Sequence, residues 1–297
     1  ELSMKKALKI IGIVLGAVIL VALGYVAYVF ASYERIEDKQ PQTIDHKGQV
    51  EAGAVTTGET YSILTYNVGF GAYTQDFSFF MDGGKSSWAK SEPFLRENMD
   101  GMGKYISSFD TDFVILQEVD QDGTRTYHVP EVDILEDYIG DGDYVFALNY
   151  HSAFLMWPLN EPHGANKSGL LTYSAYTIDN AMRRSLPIAT TVKKIVDLDR
   201  CYNISRIPVD NGKFLCIYDV HLSAYGTDES VRAGQLGMLF GDMQADYAAG
   251  NYVIVGGDFN HNLRDGGGTD GPGWAQPFPH DQIPAGFALA YKQCDPS

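Results

Sequence analysis

The sequence predicts a mixed α/β domain with long antiparallel stretches, carried behind one transmembrane helix. Three observations predict it. A charge-free apolar stretch of membrane-spanning length lies near the start, a strand-helix-strand unit begins near Tyr61, and an Asn-Gly turn joins two strand-like runs farther on. With 297 residues, 45% of them hydrophobic, the chain can bury one large core or two small ones, and it is too apolar to be disordered.

From Ile10 to Tyr33 no residue is charged. About 20 apolar residues cross the hydrocarbon core as a helix, so this stretch is long enough. Lys5, Lys6 and Lys9 precede it, while Glu34, Glu37 and Asp38 follow. The positive-inside rule then puts residues 1–9 in the cytoplasm, makes 10–33 a single-pass anchor in the cell membrane, and leaves the remainder extracytoplasmic. A cleaved signal peptide ending near Val29-Phe30-Ala31 is the alternative, although its apolar core is usually only about 7 to 15 residues. Residues 34–60 are polar and aperiodic and read as a linker. Residues 61–297 read as the folded domain. Glu1 ahead of a plausible start at Met4, and the ending "CDPS", read as arbitrary boundaries of a fragment.

"YSILTYNV" reads as a strand. Ser91 caps a helix with Pro93 in its first turn, and Leu95, Met99, Met102, Ile106 and Phe109 form its apolar face. "DFVILQEV" is a continuous apolar run of the kind covered on both faces. "YVFALN", "GLLTYS" and "ATTVKKIVDL" read as further strands. Asn211-Gly212 closes a hairpin in which Asp210 pairs with Lys213, so Cys216 faces Ile207 and a Cys201–Cys216 disulfide is not expected. Val231, Leu236, Leu239, Phe240, Met243 and Tyr247 form a second helical face closed by Gly250, and "YVIVGGDFN" runs as a buried strand into a Gly-rich turn.

Composition excludes several functions. Lys and Arg number 22 against 38 Asp and Glu, a net charge of -16, which argues against a broad nucleic-acid-binding face. Cys201, Cys216 and Cys294 fit neither a disulfide scaffold, a zinc spacing nor a CxxC motif. No GxSxG elbow occurs, and "GGGTDGPG" lacks the Lys and helix of a phosphate loop.

What remains is a set of polar groups at the ends of apolar strands: Asn67, Glu118, His221, and Asp258 with Asn260. Each alone has an ordinary structural explanation, as a turn residue, an emerging strand end, a satisfied core histidine or a cap. Together they fall where α/β proteins build sites. Hydrolysis of a phosphate ester needs a hard cation on carboxylate oxygen, an activated water and proton transfer, and this set supplies the side chains for all three.

At "TYNV", "QEVD", "SGLLTYS", "HLSA" and "GGDFN", in that order, the sequence resembles the endonuclease/exonuclease/phosphatase superfamily, over Tyr61 to about Asn262. The resemblance implies two mixed β-sheets packed face to face with flanking helices. It implies a Mg2+-dependent phosphoric ester hydrolase, with Mn2+ or Ca2+ as alternative cations. Glu118 matches the principal metal ligand, and Asn67 the residue beside metal and phosphate. His221 matches the histidine that contacts phosphate or protonates the leaving group, and Asp258 with Asn260 the pair that polarises the attacking water. The family's closing Ser-Asp-His strand has no counterpart here. "PHDQ" at 279–282 is in the wrong order, so neither His280 nor Asp281 is assigned, and the closing strand is expected beyond Ser297.

The implied substrate is a phosphate ester: a phospholipid headgroup, a sugar phosphate or nucleic acid. The anchor favours a lipid phosphodiesterase, with the aromatic runs 76–82 and 150–158 as lipid-facing loops or as core. A surface or secreted nuclease would draw on Arg125, Lys167, Arg183, Arg184 and Arg206, and an inactive tethered binding domain is the third reading. The sequence points to no obligate protein partner.

Overall fold

The structure is a computed structural model that describes residues 4–50, 53–191, 194, 197–224, 228–263 and 275–290. Its elements run as α1 (Met4–Ala31), β1 (Gln40–Pro41), β2 (Asp45–Lys47), β3 (Ile63–Asn67), α2 (Glu92–Ser107), β4 (Phe113–Gly123), α3 (Glu131–Ile139), β5 (Gly142–His151), β6 (Asn166–Ser174), β7 (Asn180–Ser185), β8 (Cys201–Pro208), β9 (Phe214–His221), α4 (Glu229–Ala248), β10 (Tyr252–Asp258), β11 (His261–Asn262) and β12 (Gln276–Pro277). Two five-stranded sheets, ordered β2-β5-β6-β4-β3 and β1-β7-β8-β9-β10, form the frame. Each is mixed: β3 with β4 and β9 with β10 are parallel, and the other pairs are antiparallel. This is the face-to-face pair of mixed sheets that the family resemblance implied.

Period-two alternation explains the layers. Phe113 and Ile115 of β4 meet Ile217 of β9 and Ile207 of β8 between the sheets. The alternate residues Val114 and Leu116 face α2 and α3, and Cys216, Tyr218 and Val220 face α4. Both faces of these central strands are therefore covered, which is why their runs are continuously apolar. Ser91 caps α2 by accepting from the Phe94 amide (3.3 Å), with Pro93 in the first turn.

Toward the far end the inward rows turn polar. Gln117 Nε2 donates to Asp219 Oδ1 (2.7 Å), and Asn203 Nδ2 donates to Ser205 Oγ (3.0 Å), all fully or almost fully buried. Burial pushes Asp219 well above the usual carboxylate range, against the hydrogen bonds from Gln117 and Thr172.

Several sequence expectations are corrected. The hairpin loop has three residues, with the Val209 amide bonded to Lys213 O and Gly212 at φ +77°, so the register slips by one. Cys216 lies opposite Arg206, and Cys201 opposite His221. The slip follows from a turn closed by one left-handed glycine, where two positive φ angles were expected. Both cysteines are buried and free, and Cys294 lies outside the described residues. The described part of "ATTVKKIVDL" is not strand. β7 pairs directly with β8, and β1 pairs with β7's other edge. β10 is half-exposed along its length, not buried, because among the described residues it pairs only with β9. Within 34–50, β1 extends one sheet and β2 the other. Neither α3 nor β7 was foreseen.

His163 packs in the interior against Phe79, Phe80 and Tyr150. Burial, helped by the Arg125 charge, pushes it down to about 3. Its native state is thus neutral, so its stabilising term is complete above the unfolded value near 6.5 and is lost as pH falls toward 3. Between pH 7 and pH 5 the wild type should lose ~2 kcal/mol more unfolding free energy than His163→Phe. Urea melts at the two pH values measure the difference, and parallel losses in both proteins would contradict a neutral buried histidine.

Candidate active site

Asn67, Glu118, His221, Asp258 and Asn260 lie together where the C-terminal ends of β3, β9 and β10 meet the middle of β4. Asn67 Nδ2 donates to Glu118 Oε1 (3.0 Å) and to Asp258 Oδ2 (2.9 Å). His221 Nε2 stands 3.7 Å from Glu118 Oε1 and 3.9 Å from Asp258 Oδ2. The backbone amide of Asn260 donates to Asp258 Oδ1 (2.8 Å), and its side-chain Nδ2 donates to Leu222 O (2.9 Å). Three of the five continue the inward rows of their strands. Asp219 and His221 follow Ile217, Asp258 follows Ile254 and Gly256, and Asn67 follows Thr65.

Glu118 is different. Strict alternation would aim it at the helices, opposite to Gln117. A bulge in β4 sets Gln117 and Glu118 against the one residue Leu170, between the pairs Leu116–Leu171 and Val119–Gly169. Glu118 itself takes φ +56°, a left-handed conformation that is strained for a non-glycine residue. The bulge turns its carboxylate toward Asn67 and His221. Just beyond, Arg125 binds Asp120 in a bidentate pair (2.9 and 2.7 Å), and the Asp120 amide donates to Glu131 Oε2 (2.8 Å). The Arg125 guanidinium also lies 3.8 Å over the Phe70 ring. These contacts fix the strand immediately after the bulge.

The electrostatics follow from enclosure. His221 is 2% exposed, and burial with the nearby Arg200 charge pushes it down to about 3 against the pull of Asp258. It is neutral at physiological pH. Asn149 Nδ2 donates to His221 Nδ1 (3.2 Å), so Nδ1 accepts and Nε2 carries the proton that faces the carboxylates. Loss of solvation raises Glu118 above the usual carboxylate range, with Asn67, Arg125 and Arg200 opposing the shift and Asp258 adding to it.

One oxygen each of Glu118 and Asp258 and one nitrogen of His221 all lie within 4.8 Å of one another, so the two carboxylates are close enough to share a cation with the protonated Nε2 of His221 beside it as a donor. Two carboxylates so placed repel, and a divalent cation relieves that repulsion, so the donor set fits one. Asn67 presents its nitrogen to this space, while its Oδ1 accepts from the Gly69 amide (2.9 Å). In this arrangement it holds the two carboxylates together, beside the space that a cation would occupy.

The model of the endonuclease/exonuclease/phosphatase family matches residues 64–284. The chain belongs to that family. Among solved structures it is similar to an endonuclease/exonuclease/phosphatase family protein from Leptotrichia buccalis, at 18% identity over 67% of this chain and 66% of that one, with a TM-score of 0.43. It is similar to an endonuclease/exonuclease/phosphatase from Beutenbergia cavernae at 16% identity, 68% and 48% coverage and a TM-score of 0.47. A third is ANGEL2, a 2′,3′-cyclic phosphatase, at 15% identity, 77% and 57% coverage and a TM-score of 0.45. The chain thus spans from about half to two thirds of the length of these relatives. No curated protein matches it.

Within this endonuclease/exonuclease/phosphatase domain, sequence reading missed Asn149 and Arg200. Asn149 ends the apolar run "YVFALN" just as Asn67 ends "LTYN", and that repeated pattern was the available signal. Arg200 immediately precedes β8, whose first residue Cys201 pairs with His221. It is 6% exposed, and its Nε and Nη1 make no hydrogen bond. The cations that the nuclease reading drew on are mostly committed instead: Arg125 to Asp120, Arg183 to Asp199, Arg184 to Asp38 and Asp242, and Arg206 to Asp246. His280–Gln282 forms a 3-10 turn beside Phe278, which also packs on Phe259 and His261, and Asp270 lies outside the described residues.

Two glycines let β10 deliver Asp258. A Cβ on Gly256 would fall 2.6 Å from Ile115 Cδ1, and one on Gly257, at φ +123°, would fall 2.2 Å from Val220 O. Gly257→Ala should therefore spread β9 from β10 and cost about 2–4 kcal/mol of stability. Thermal unfolding measures this, and an unchanged midpoint would show that the strand end adapts freely.

Proposed function

We propose that the chain is a membrane-anchored, metal-dependent phosphoesterase that hydrolyses a phosphate ester by attack of water. The observation that carries this reading is the mutual approach of Glu118, His221 and Asp258 to within 4.8 Å, at the β4 bulge and the ends of β9 and β10. Glu118 and Asp258 would hold a cation of the Mg2+ class. When bound, such a cation supplies positive charge to a phosphoryl oxygen and to the attacking water. Asp258 accepts the water's proton, with Oδ1 fixed by the Asn260 amide. His221 donates from Nε2 to phosphate or to the leaving oxygen, and Asn149 holds its ring in that tautomer. Asn67 keeps the two carboxylates in register.

Arg200 bears on the substrate class. As a buried guanidinium with unmet donors beside His221 and Glu118, it suits one phosphate group, as in a headgroup or sugar phosphate, better than a polyanionic strand. The anchor reading rests on α1, whose 28 residues include an apolar window of mean hydropathy 2.7 with no part buried in the protein. Lys5, Lys6 and Lys9 put the N-terminus in the cytoplasm and the catalytic domain, residues 61–297, outside the cell membrane.

Bis-p-nitrophenyl phosphate with Mg2+ tests the chemistry. Glu118→Gln should lower the Mg2+-dependent rate by at least ~10^3 while leaving the melting temperature in chelator unchanged, since the amide keeps the shape and loses the charge. A wild-type rate indifferent to chelator would overturn the metal reading. Arg200→Gln should reduce kcat/KM by about 10^2, the usual effect of deleting a donor aimed at developing charge. Stability should hold or rise, because the variant no longer buries an unpaired cation. Unchanged kcat/KM would remove Arg200 from the phosphate site.

A further inference from the structure

We propose that the loop at residues 153–159, between β5 and β6, enters the lipid interface beside α1 and sets the mouth of the candidate active site against the bilayer. The inference rests on the anchor reading of α1 and deepens it. Three hydrogen bonds tie the loop to the helix: Tyr25 Oη donates to Phe154 O (3.2 Å) and accepts from the Met156 amide (2.8 Å), and Tyr28 Oη accepts from the Phe154 amide (3.1 Å). Tyr25 and Tyr28 lie in the last two turns of α1, at the end opposite the lysines. Tyrosines at that level belong to the membrane–water boundary, so the loop bonded to them sits at the same depth.

The loop is built to be there. Phe154, Met156, Trp157 and Leu159 are 41, 45, 67 and 72% exposed. Such a cluster within six residues is costly in water and favourable in an interface. Residues 152–160 carry no charge, and Glu161 just beyond them is turned back to the Ser87 amide (2.8 Å). The base is rigid: Leu155 and Gly164 exchange two backbone hydrogen bonds (3.0 Å each), and Trp88 Nε1 donates to Pro162 O (2.7 Å). The domain does not swing freely on its tether either. Arg35 pairs with Asp199 (3.0 Å), Asp199 accepts from the Ile36 amide (2.7 Å), and Ser185 Oγ donates to Ile36 O (2.7 Å).

The connection to chemistry is β5. Asn149, which orients His221, lies five residues before Phe154, at most about 17 Å along an extended chain. Immersing the loop therefore brings the site to the surface where a lipid-borne phosphate ester presents its headgroup.

The full chain reconstituted in phosphatidylcholine vesicles tests this. The fluorescence difference between wild type and Trp157→Phe isolates Trp157, and brominated phosphatidylcholine should quench that difference by about half while shifting the wild-type emission to the blue. Phe154→Ser/Trp157→Ser/Leu159→Ser should hydrolyse a vesicle-borne phosphate ester ~10-fold more slowly than wild type and soluble bis-p-nitrophenyl phosphate at the wild-type rate. Alkaline carbonate extraction separates the two readings. If the chain resists extraction but Trp157 is not quenched, the loop does not touch lipid and this inference alone fails. Shielding of Trp157 that depends on protein concentration and not on brominated lipid would assign the loop to a second copy and overturn it. If carbonate extracts the chain, the anchor reading falls and takes the inference with it.

Discussion

The constraint on which the structure depends is that its central strands are covered on both faces. A strand in that position has no solvated side on which to place polar groups, so any that it carries must bind each other or lie at its ends. β4 and β9 do both. Their inward rows run from Phe113, Ile115 and Ile217 to Gln117 and Asp219, and then to the open end where Glu118 and His221 stand. The candidate site is the last layer of the core, at the place where apolar filling gives way to side chains that satisfy one another. This explains how a half-buried carboxylate and an almost fully buried imidazole are held without flexible loops. Asn67, Asn149 and the Asn260 amide supply the hydrogen bonds that water would otherwise supply.

The same constraint separates what was legible in the sequence from what was not. Continuous apolar runs ending in Asn67, Glu118, His221 and Asp258 could be read directly, because burial on both faces writes itself into composition. The bulge that aims Glu118 could not, since one extra residue in a strand leaves the hydrophobic pattern intact and shows only against the partner, Leu170. The hairpin register failed for a related reason. Asn-Gly fits both a two-residue loop and a three-residue loop with a single left-handed glycine, and only pairing distinguishes them. β7 escaped notice because Arg183 and Arg184 interrupt it, although Arg183 is buried against Leu148 O and Asp199 O. Arg200 gave no sign at all, because a lone arginine at a strand start is ordinary until its neighbours are known.

Residues 34–50 show how far polar composition misleads about order. They look like a tether, yet β1 and β2 add edge strands to both sheets, and Arg35 and Asp38 pair with Asp199 and Arg184. Short edge strands rich in polar residues can be added to a sheet without any hydrophobic pattern, since their stability comes from main-chain pairing and from charges met on the domain. The consequence is mechanical. A helix joined to the domain by edge strands on both sheets and by ion pairs on one fixes the orientation of the candidate site in a way that a flexible linker could not.

That fixed orientation bears on how the domain meets its substrate. A chain of net charge -16 repels anions at long range, and Arg200, enclosed at 6% exposure, projects little field beyond the site. Electrostatic steering is therefore unavailable for a phosphate ester in solution. With the proposed anchor, confinement at a surface would replace it, because two partners held in one layer meet at an effective concentration set by geometry rather than by attraction. On this argument the acidity of the domain and the apolar loop beside α1 belong together. The acidity disfavours free polyanions, and the loop, seated as proposed, would favour a phosphate that is presented at the lipid boundary.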